Sequence, residues 1–337
     1  METMRAAILD GFGHALRLTR LPVPVPGAGE ILIRLEASGV CHSDVHIWKG
    51  ETRPAKAPDP FILGHEGVGV VAALGAGVSD WQVGDRAGAA WMHDACGVCE
   101  QCLAGQETFC ATQRAHGFDV PGTFAEYVVA QAAFAARLPD GGAAGLAPLM
   151  CAGLTAYGAI ARGGLRHGET CAIFGCGGLG LYAVQLAARL GARVLAVDSD
   201  PAKLAVAARI GAATITRSGA TLAADWPRAD RAHVTINFAP TTRTWDAMLA
   251  ATRPTGRIVA AAMVADPVPL SQEWLTFTGI SIIGTSVGTR AQMKELLALH
   301  AEVPLHSEVF PIDLDGASDA LAALAEGRAK GRFCIVF

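Results

Sequence analysis

In Gly39-Val40-Cys41-His42-Ser43-Asp44-Val45-His46, one thiol, one hydroxyl, one carboxyl and two imidazoles fall within six positions, directly after an extended apolar segment. A buried core has no use for so many titratable groups, because each polar group taken inside must find a partner. A metal site needs them. Thiolates and imidazoles bind zinc, so Cys41 is the first candidate ligand and His65, in Gly64-His65-Glu66-Gly67, is a second. Cys151 lies in Ala147-Pro148-Leu149-Met150-Cys151-Ala152-Gly153, and those apolar surroundings alone make it read as core.

Cys96, Cys99, Cys102 and Cys110 are spaced three, three and eight apart. An all-thiolate zinc site needs four sulfurs converging at about 2.3 Å from the metal, which two-residue gaps permit in a tight loop. Iron–sulfur proteins share the first two spacings, but their fourth cysteine usually comes only a few residues later and precedes Pro. Here Cys110 precedes Ala111. A structural zinc is expected, holding a lobe of about 93–112 that lacks a core of its own. The remaining three of the 9 cysteines, Cys171, Cys176 and Cys334, sit in apolar contexts and read as small buried hydrophobes.

Gly175-Cys176-Gly177-Gly178-Leu179-Gly180 follows an apolar strand and opens a helix. Gly175, Gly177 and Gly180 match G-x-G-x-x-G, whose glycines let the backbone approach a pyrophosphate at a helix N-terminus. Asp198 closes the next strand about 20 residues on, where a carboxylate accepts hydrogen bonds from the adenosine ribose. Asp198 and Asp200 would both repel a 2′-phosphate, and no Arg directly follows Asp198. NAD is expected rather than NADP.

These groups must be carried by two kinds of scaffold. Up to about residue 150, short apolar strands are punctuated by Gly and Pro, as in Ala6–Leu9, Ile31–Glu36 and Gly67–Val71, which suggests a partly closed β barrel. From Thr170 onward six apolar strands alternate with helices, the pattern of a doubly wound parallel sheet. The tail returns to strand, helix, strand and is expected to rejoin the first domain. The expected division is therefore 1–153 with 296–337 for the barrel, and 154–295 for the dinucleotide domain. With 337 residues, 51% hydrophobic and 17% charged, the chain has ample core for both. A net charge of -4 argues against nucleic acid or an anionic membrane as partner. The uncharged run 141–161 contains Gly and Pro148 and reads as a buried loop and helix rather than a membrane span. No signal-peptide pattern opens the chain, and a cytoplasmic location is expected.

Taken together, G-V-C-H-S-D-V-H, G-H-E-G-V-G, G-D-R, the four-cysteine lobe, C-A-G-L-T-A-Y, G-C-G-G-L-G, Gly284-Thr285-Ser286-Val287-Gly288-Thr289-Arg290 and Gly331-Arg332 span nearly the whole chain. In this order they resemble the zinc-dependent medium-chain alcohol dehydrogenases, particularly the bacterial ones. The resemblance implies an α/β protein with a GroES-like, partly open barrel and a Rossmann domain. It implies that Cys41, His65 and Cys151 bind a catalytic zinc, leaving a fourth position for water or a small alcohol or aldehyde. It further implies that Ser43 and His46 relay the alcohol proton by way of the nicotinamide ribose, with Asp44 and Glu66 orienting His65 and tuning the metal. By the same resemblance Gly178 and Leu179 are expected to belong to the cofactor loop, Thr155 and Lys203 to touch the cofactor, and Arg332 to pair with its pyrophosphate. Trp48 and Trp91 line the substrate pocket, and the assembly is a homotetramer by family analogy. Two local departures, Gly50-Glu51-Thr52 where bacterial relatives read G-D-W and Trp91-Met92 where they read Trp-Leu, bear on pocket width. A polyol or secondary-alcohol enzyme of the same fold is the nearer rival, although polyol enzymes often carry Glu where Cys151 stands. A non-catalytic dinucleotide-binding relative is the more distant one, and such relatives lose zinc ligands first.

Overall fold

The computed structural model describes residues 2–217, 226 and 228–337. It divides into two compact units, Met1–Ala152 with Thr289–Phe337, and Gly153–Gly288. The first unit is built around the strand Glu30–Gly39, in which Ile31, Ile33, Leu35 and Ala37 are buried. Gly67–Leu74 pairs along one side of it. The other side is shared: Tyr127–Gln131 covers the first half and Arg332–Val336 the last three residues. The sheet continues through Arg86–Ala89 to Ala136–Arg137 at one end and to Val309–Ile312 at the other. Gly69 has a steric reason, since a Cβ there would lie 2.0 Å from the Arg34 carbonyl oxygen. The barrel is as expected, and the strand Arg332–Val336 brings the tail back against Glu30–Gly39.

Both boundaries differ from the expected division, the first by one residue, at 152/153 rather than 153/154. The helix Arg290–Glu302 belongs entirely to the first unit, so the crossing falls at 288/289 rather than 295/296. Its apolar spacing predicts a buried face but not which sheet it covers. Thr289 caps the helix, its Oγ1 accepting from Gln292 N at 3.3 Å. Arg290 then donates from its backbone N (3.0 Å) and its Nε (3.2 Å) to Glu107 Oε1, and its guanidinium stacks over the Phe134 ring.

In the second unit six parallel strands run in the order Thr214–Arg217, Arg193–Asp198, Thr170–Phe174, Ala232–Asn237, Thr252–Ala260, Ser281–Gly284. The chain starts in the middle at Thr170–Phe174 and winds first one way, then the other. This leaves a switch point beside the carboxyl end of that strand, where the glycine loop begins. The helix Gly178–Arg189 buries Tyr182, Ala183, Val184 and Ala187. Val287, the penultimate residue of the unit, has φ +47°, a strained setting for a β-branched side chain. Gly158 makes room for it, since a Cβ there would meet Val287 O at 2.2 Å.

Among the described residues no single helix is long and apolar enough to cross a membrane. The pair Ala143–Met150 and Ala152–Arg162 passes on length and composition only when taken together, across a 42° bend. Leu146–Met150 are all buried within the first unit.

Candidate metal centre and dinucleotide loop

Cys41 is the residue before the helix His42–Trp48, in extended backbone. Asp44, one turn in, reaches back: its Oδ2 accepts from Cys41 N at 2.8 Å, and its Oδ1 accepts from Gly64 N at 3.1 Å. The same carboxylate therefore ties the helix start to the loop carrying His65. Its Oδ1 also lies 3.1 Å from His65 Nδ1, at ion-pair distance but off the line of a straight hydrogen bond. Asp44, His65 and Glu66 are fully buried.

Cys41, His65, Glu66 and Cys151 form one group, with their ligand atoms all within 4.8 Å of one another. The Cys41 and Cys151 sulfurs are 3.9 Å apart. Two sulfurs on a tetrahedral zinc, each at about 2.3 Å, stand about 3.8 Å apart. His65 Nε2 is buried and makes no hydrogen bond. Without a cation, the two thiols can hold only one negative charge between them. Through their mutual hydrogen bond Cys41 is drawn well below the ordinary thiol range, while Cys151 is pushed well above it. A divalent ion removes that conflict and gives Nε2 its partner. The residues fit zinc.

Glu66 has a second commitment. Arg332 Nη2 donates to both its carboxylate oxygens in a buried pair. Burial raises the Glu66 carboxyl to about 7, against the pull of Arg332. The resemblance implies a pyrophosphate partner for Arg332; in the structure its guanidinium pairs with Glu66, inside the first unit.

Ser43 is half-buried in the first turn of the helix, and His46 follows three residues on, where side chains share a face. His46 Nδ1 is 2.5 Å from Glu51 Oε2. The two tryptophans differ in setting. Trp91 meets the His65 ring edge-on at 4.9 Å and stacks on Phe118. Trp48 instead donates from Nε1 to His14 O at 2.6 Å while packing on the barrel core. Sequence reasoning missed the buried pair His93 and His116, whose rings meet Nδ1 to Nε2 at 3.1 Å. Burial holds the His93 imidazole down at about 3. Neither residue carries a spacing signal.

The sulfurs of Cys96, Cys99, Cys102 and Cys110 also lie within 4.8 Å of one another. Cys96 and Cys102 stand 3.9 Å apart, again the edge of a zinc tetrahedron and far beyond disulfide length. All nine cysteines are free.

In the second unit, Gly175 has φ +90° and no room for a Cβ, which would lie 2.7 Å from Ala239 N. A Cβ on Gly180 would strike Gly175 O at 1.8 Å. Gly177 is different: its φ of -82° suits any residue, and nothing lies within 4 Å of its missing Cβ. The chain itself gives no reason for glycine there. A ligand approaching the backbone does. Asp198 Oδ2 accepts from Cys176 N at 2.7 Å and its Oδ1 from Asp200 N at 2.9 Å, so this carboxylate also shapes the loop. Asp200 caps the helix Pro201–Arg209, on which Lys203 is half-buried with its charge acting on the Cys176 thiol. Thr155 is buried in the helix Ala152–Arg162. The residues fit a dinucleotide.

Residues 27–140 match the family described as alcohol dehydrogenase GroES-like domain, and residues 178–302 match the zinc-binding dehydrogenase family. An alcohol dehydrogenase of Moraxella sp. (strain TAE123) is 38% identical over 98% of this chain and 99% of its own length. One from Geobacillus stearothermophilus is 36% identical over 98% of each. Among solved structures, acetophenone reductase from Geotrichum candidum in complex with NAD superposes with a TM-score of 0.90 at 29% identity, covering 100% of this chain and 98% of that one.

Proposed function

This chain belongs to the zinc-dependent medium-chain alcohol dehydrogenases, and from that premise we propose that Cys41, His65 and Cys151 hold its catalytic zinc and that Ser43 and His46 carry the alcohol proton. The protein is an NAD-dependent oxidoreductase acting on small-molecule alcohols, with NAD and zinc as cofactors. The observation that carries the site reading is the pair of sulfurs 3.9 Å apart beside an unpartnered, buried His65 Nε2.

When bound, the zinc supplies a Lewis acid and NAD supplies a hydride acceptor. The remaining work belongs to the chain. Two thiolates and a neutral imidazole would leave the zinc site formally uncharged. Asp44, facing Nδ1, keeps Nε2 of His65 turned toward the sulfurs. Arg332 occupies both oxygens of Glu66, which keeps that carboxylate beside the site rather than in it and leaves the fourth position for substrate. Ser43 Oγ takes the hydroxyl proton and His46 passes it outward. Trp91, flat against Phe118 and edge-on to His65, is the better candidate of the two tryptophans for the pocket wall. Gly177 opens the backbone to the pyrophosphate, with Thr155 and Lys203 as further contacts and Asp198 as the ribose acceptor.

A panel of primary, secondary and aromatic alcohols, run with NAD and with NADP and followed by NADH absorbance, tests this reading. The wild-type protein should reduce NAD. Asp198→Gly should erode its preference over NADP by roughly tenfold, the equivalent of one charged hydrogen bond. An unaltered cofactor ratio would remove Asp198 from the ribose site. Polyols oxidised in preference to simple alcohols would favour the rival reading.

We also propose a cytoplasmic homotetramer. Among the described residues Ser281–Gly284 is the outermost strand of the parallel sheet, and its Ile282 is 38% exposed. An uncovered sheet edge of this kind favours pairing between copies. Light scattering that returns the 34.8 kDa monomer mass would refute it.

A further inference from the structure

The helix His42–Trp48 ends in a turn built by Gly50, at φ +72°. Gly50 N donates to Ile47 O at 2.8 Å and Glu51 N donates to His46 O at 2.9 Å, the two-bond pattern of a Schellman cap. This closure folds Glu51 back over the helix turn that holds His46. The same two residues are then joined a second time, by Glu51 Oε2 at 2.5 Å from His46 Nδ1. An ionised carboxylate only accepts. Nδ1 therefore carries the hydrogen, and Nε2 is left with a lone pair.

We propose that Glu51 is a positioning residue for proton transfer: it fixes His46 in the Nδ1–H tautomer, makes Nε2 the accepting atom, and stabilises the imidazolium formed when Nε2 is protonated. This rests on His46 being the relay base. In alcohol oxidation the substrate's O–H and carbinol C–H bonds both break and a C=O bond forms: the hydride leaves carbon for the NAD that would be bound there, and the hydroxyl proton passes by Ser43 Oγ to His46 Nε2. The Nε2 proton is then released to solvent from the 19% exposed imidazole, while the Nδ1 hydrogen stays bonded to the Glu51 carboxylate, and the Nδ1–H tautomer is restored. The charged groups around Glu51 are His46, Lys49 with Nζ 3.9 Å from Oε1, and His42, whose ring meets His46 at 5.0 Å. Arg53 bonds Gly50 O from the following loop. The hydrogen bond to His46 holds the Glu51 carboxyl below its usual range. Exposed ion pairs add little to stability, so the fold alone does not account for this one.

The test uses the zinc-loaded enzyme and compares Glu51→Ala, Glu51→Asp, His46→Gln and the double variant Glu51→Ala/His46→Gln. Single-turnover rates of alcohol oxidation are measured from pH 5 to 9, and nitrogen-15 shifts report the His46 tautomer. Glu51→Ala should slow hydride transfer roughly two- to fivefold, the scale of one exposed ion pair. The imidazole signal should change from a single tautomer to a mixture. Glu51→Asp should restore part of the rate, and Glu51→Ala should have no further effect once His46 is Gln. If His46→Gln is slow while Glu51→Ala behaves as wild type, the proposal fails and the relay stands. If neither substitution slows the reaction, the relay reading fails and takes this one with it. Equal losses from Glu51→Ala in both backgrounds would also overturn it, because Glu51 would then act without His46.

Discussion

Cys41→Ser is expected to lower kcat/KM for alcohol oxidation by roughly a thousandfold or more, because a bound metal contributes several kcal/mol of charge stabilisation and each 1.4 kcal/mol is a factor of ten. Serine is chosen because Cys41 occupies the cap position of the helix His42–Trp48, where a hydroxyl is well suited and alanine is not. Asp44 still finds the Cys41-position N–H, so the loop joining the helix to His65 is kept. Zinc analysis should fall from two ions per chain to one. NADH binding, read by fluorescence, should be retained, because the glycine loop and Asp198 lie in the other unit. Turnover within tenfold of wild type, with both metals present, would end the assignment of Cys41 as a ligand.

The three proposed ligands of that site are not equally legible. Cys41 and His65 sit in short polar clusters that a core would avoid. Cys151 sits among Leu149, Met150 and Ala152, all fully buried, and by its neighbours it is core. Only the resemblance to the dehydrogenases assigns it a role in the sequence. The fold supplies what the sequence could not, by bringing its sulfur across 110 residues to Cys41. The four-cysteine cluster and the glycine loop are local, so spacing alone describes them. Arg332 is the reverse case: the resemblance gives it a pyrophosphate, and its buried pair with Glu66, 266 residues away, carries no signal in the sequence. Glu51 looks like any surface acid after a helix. Its place on His46 depends on the left-handed turn at Gly50, a backbone property that residue type permits without dictating. The unit boundary falls before the helix Arg290–Glu302 rather than at 295/296 for a related reason. Its anchor, Glu107, lies in the cysteine lobe and could not be paired with Arg290 from the sequence.

That anchor bears on Cys110→Ser. The lobe has little apolar support: Val98 is 77% and Leu103 76% exposed, and the short helix Glu100–Leu103 buries no residue. Four sulfurs around one ion are therefore its core, and three are not enough. Backbone N–H groups and the Thr112 hydroxyl hold the Cys110 thiol down at about 6, ready to bind as thiolate near neutral pH. Cys110→Ser should release one zinc per chain and expose the segment 93–112 to protease. Glu107 lies within that segment, so its clasp on Arg290 should loosen with it. A loss of roughly 3 kcal/mol would lower Tm by about 10 °C, at 2–4 °C per kcal/mol for a domain of this size. Activity at low temperature should persist, since Cys41, His65 and Cys151 are untouched. A disulfide-held lobe would behave oppositely, melting earlier under reductant and ignoring chelators. Two zinc ions retained in the variant, or an undiminished protease resistance, would show that these sulfurs do not hold the lobe.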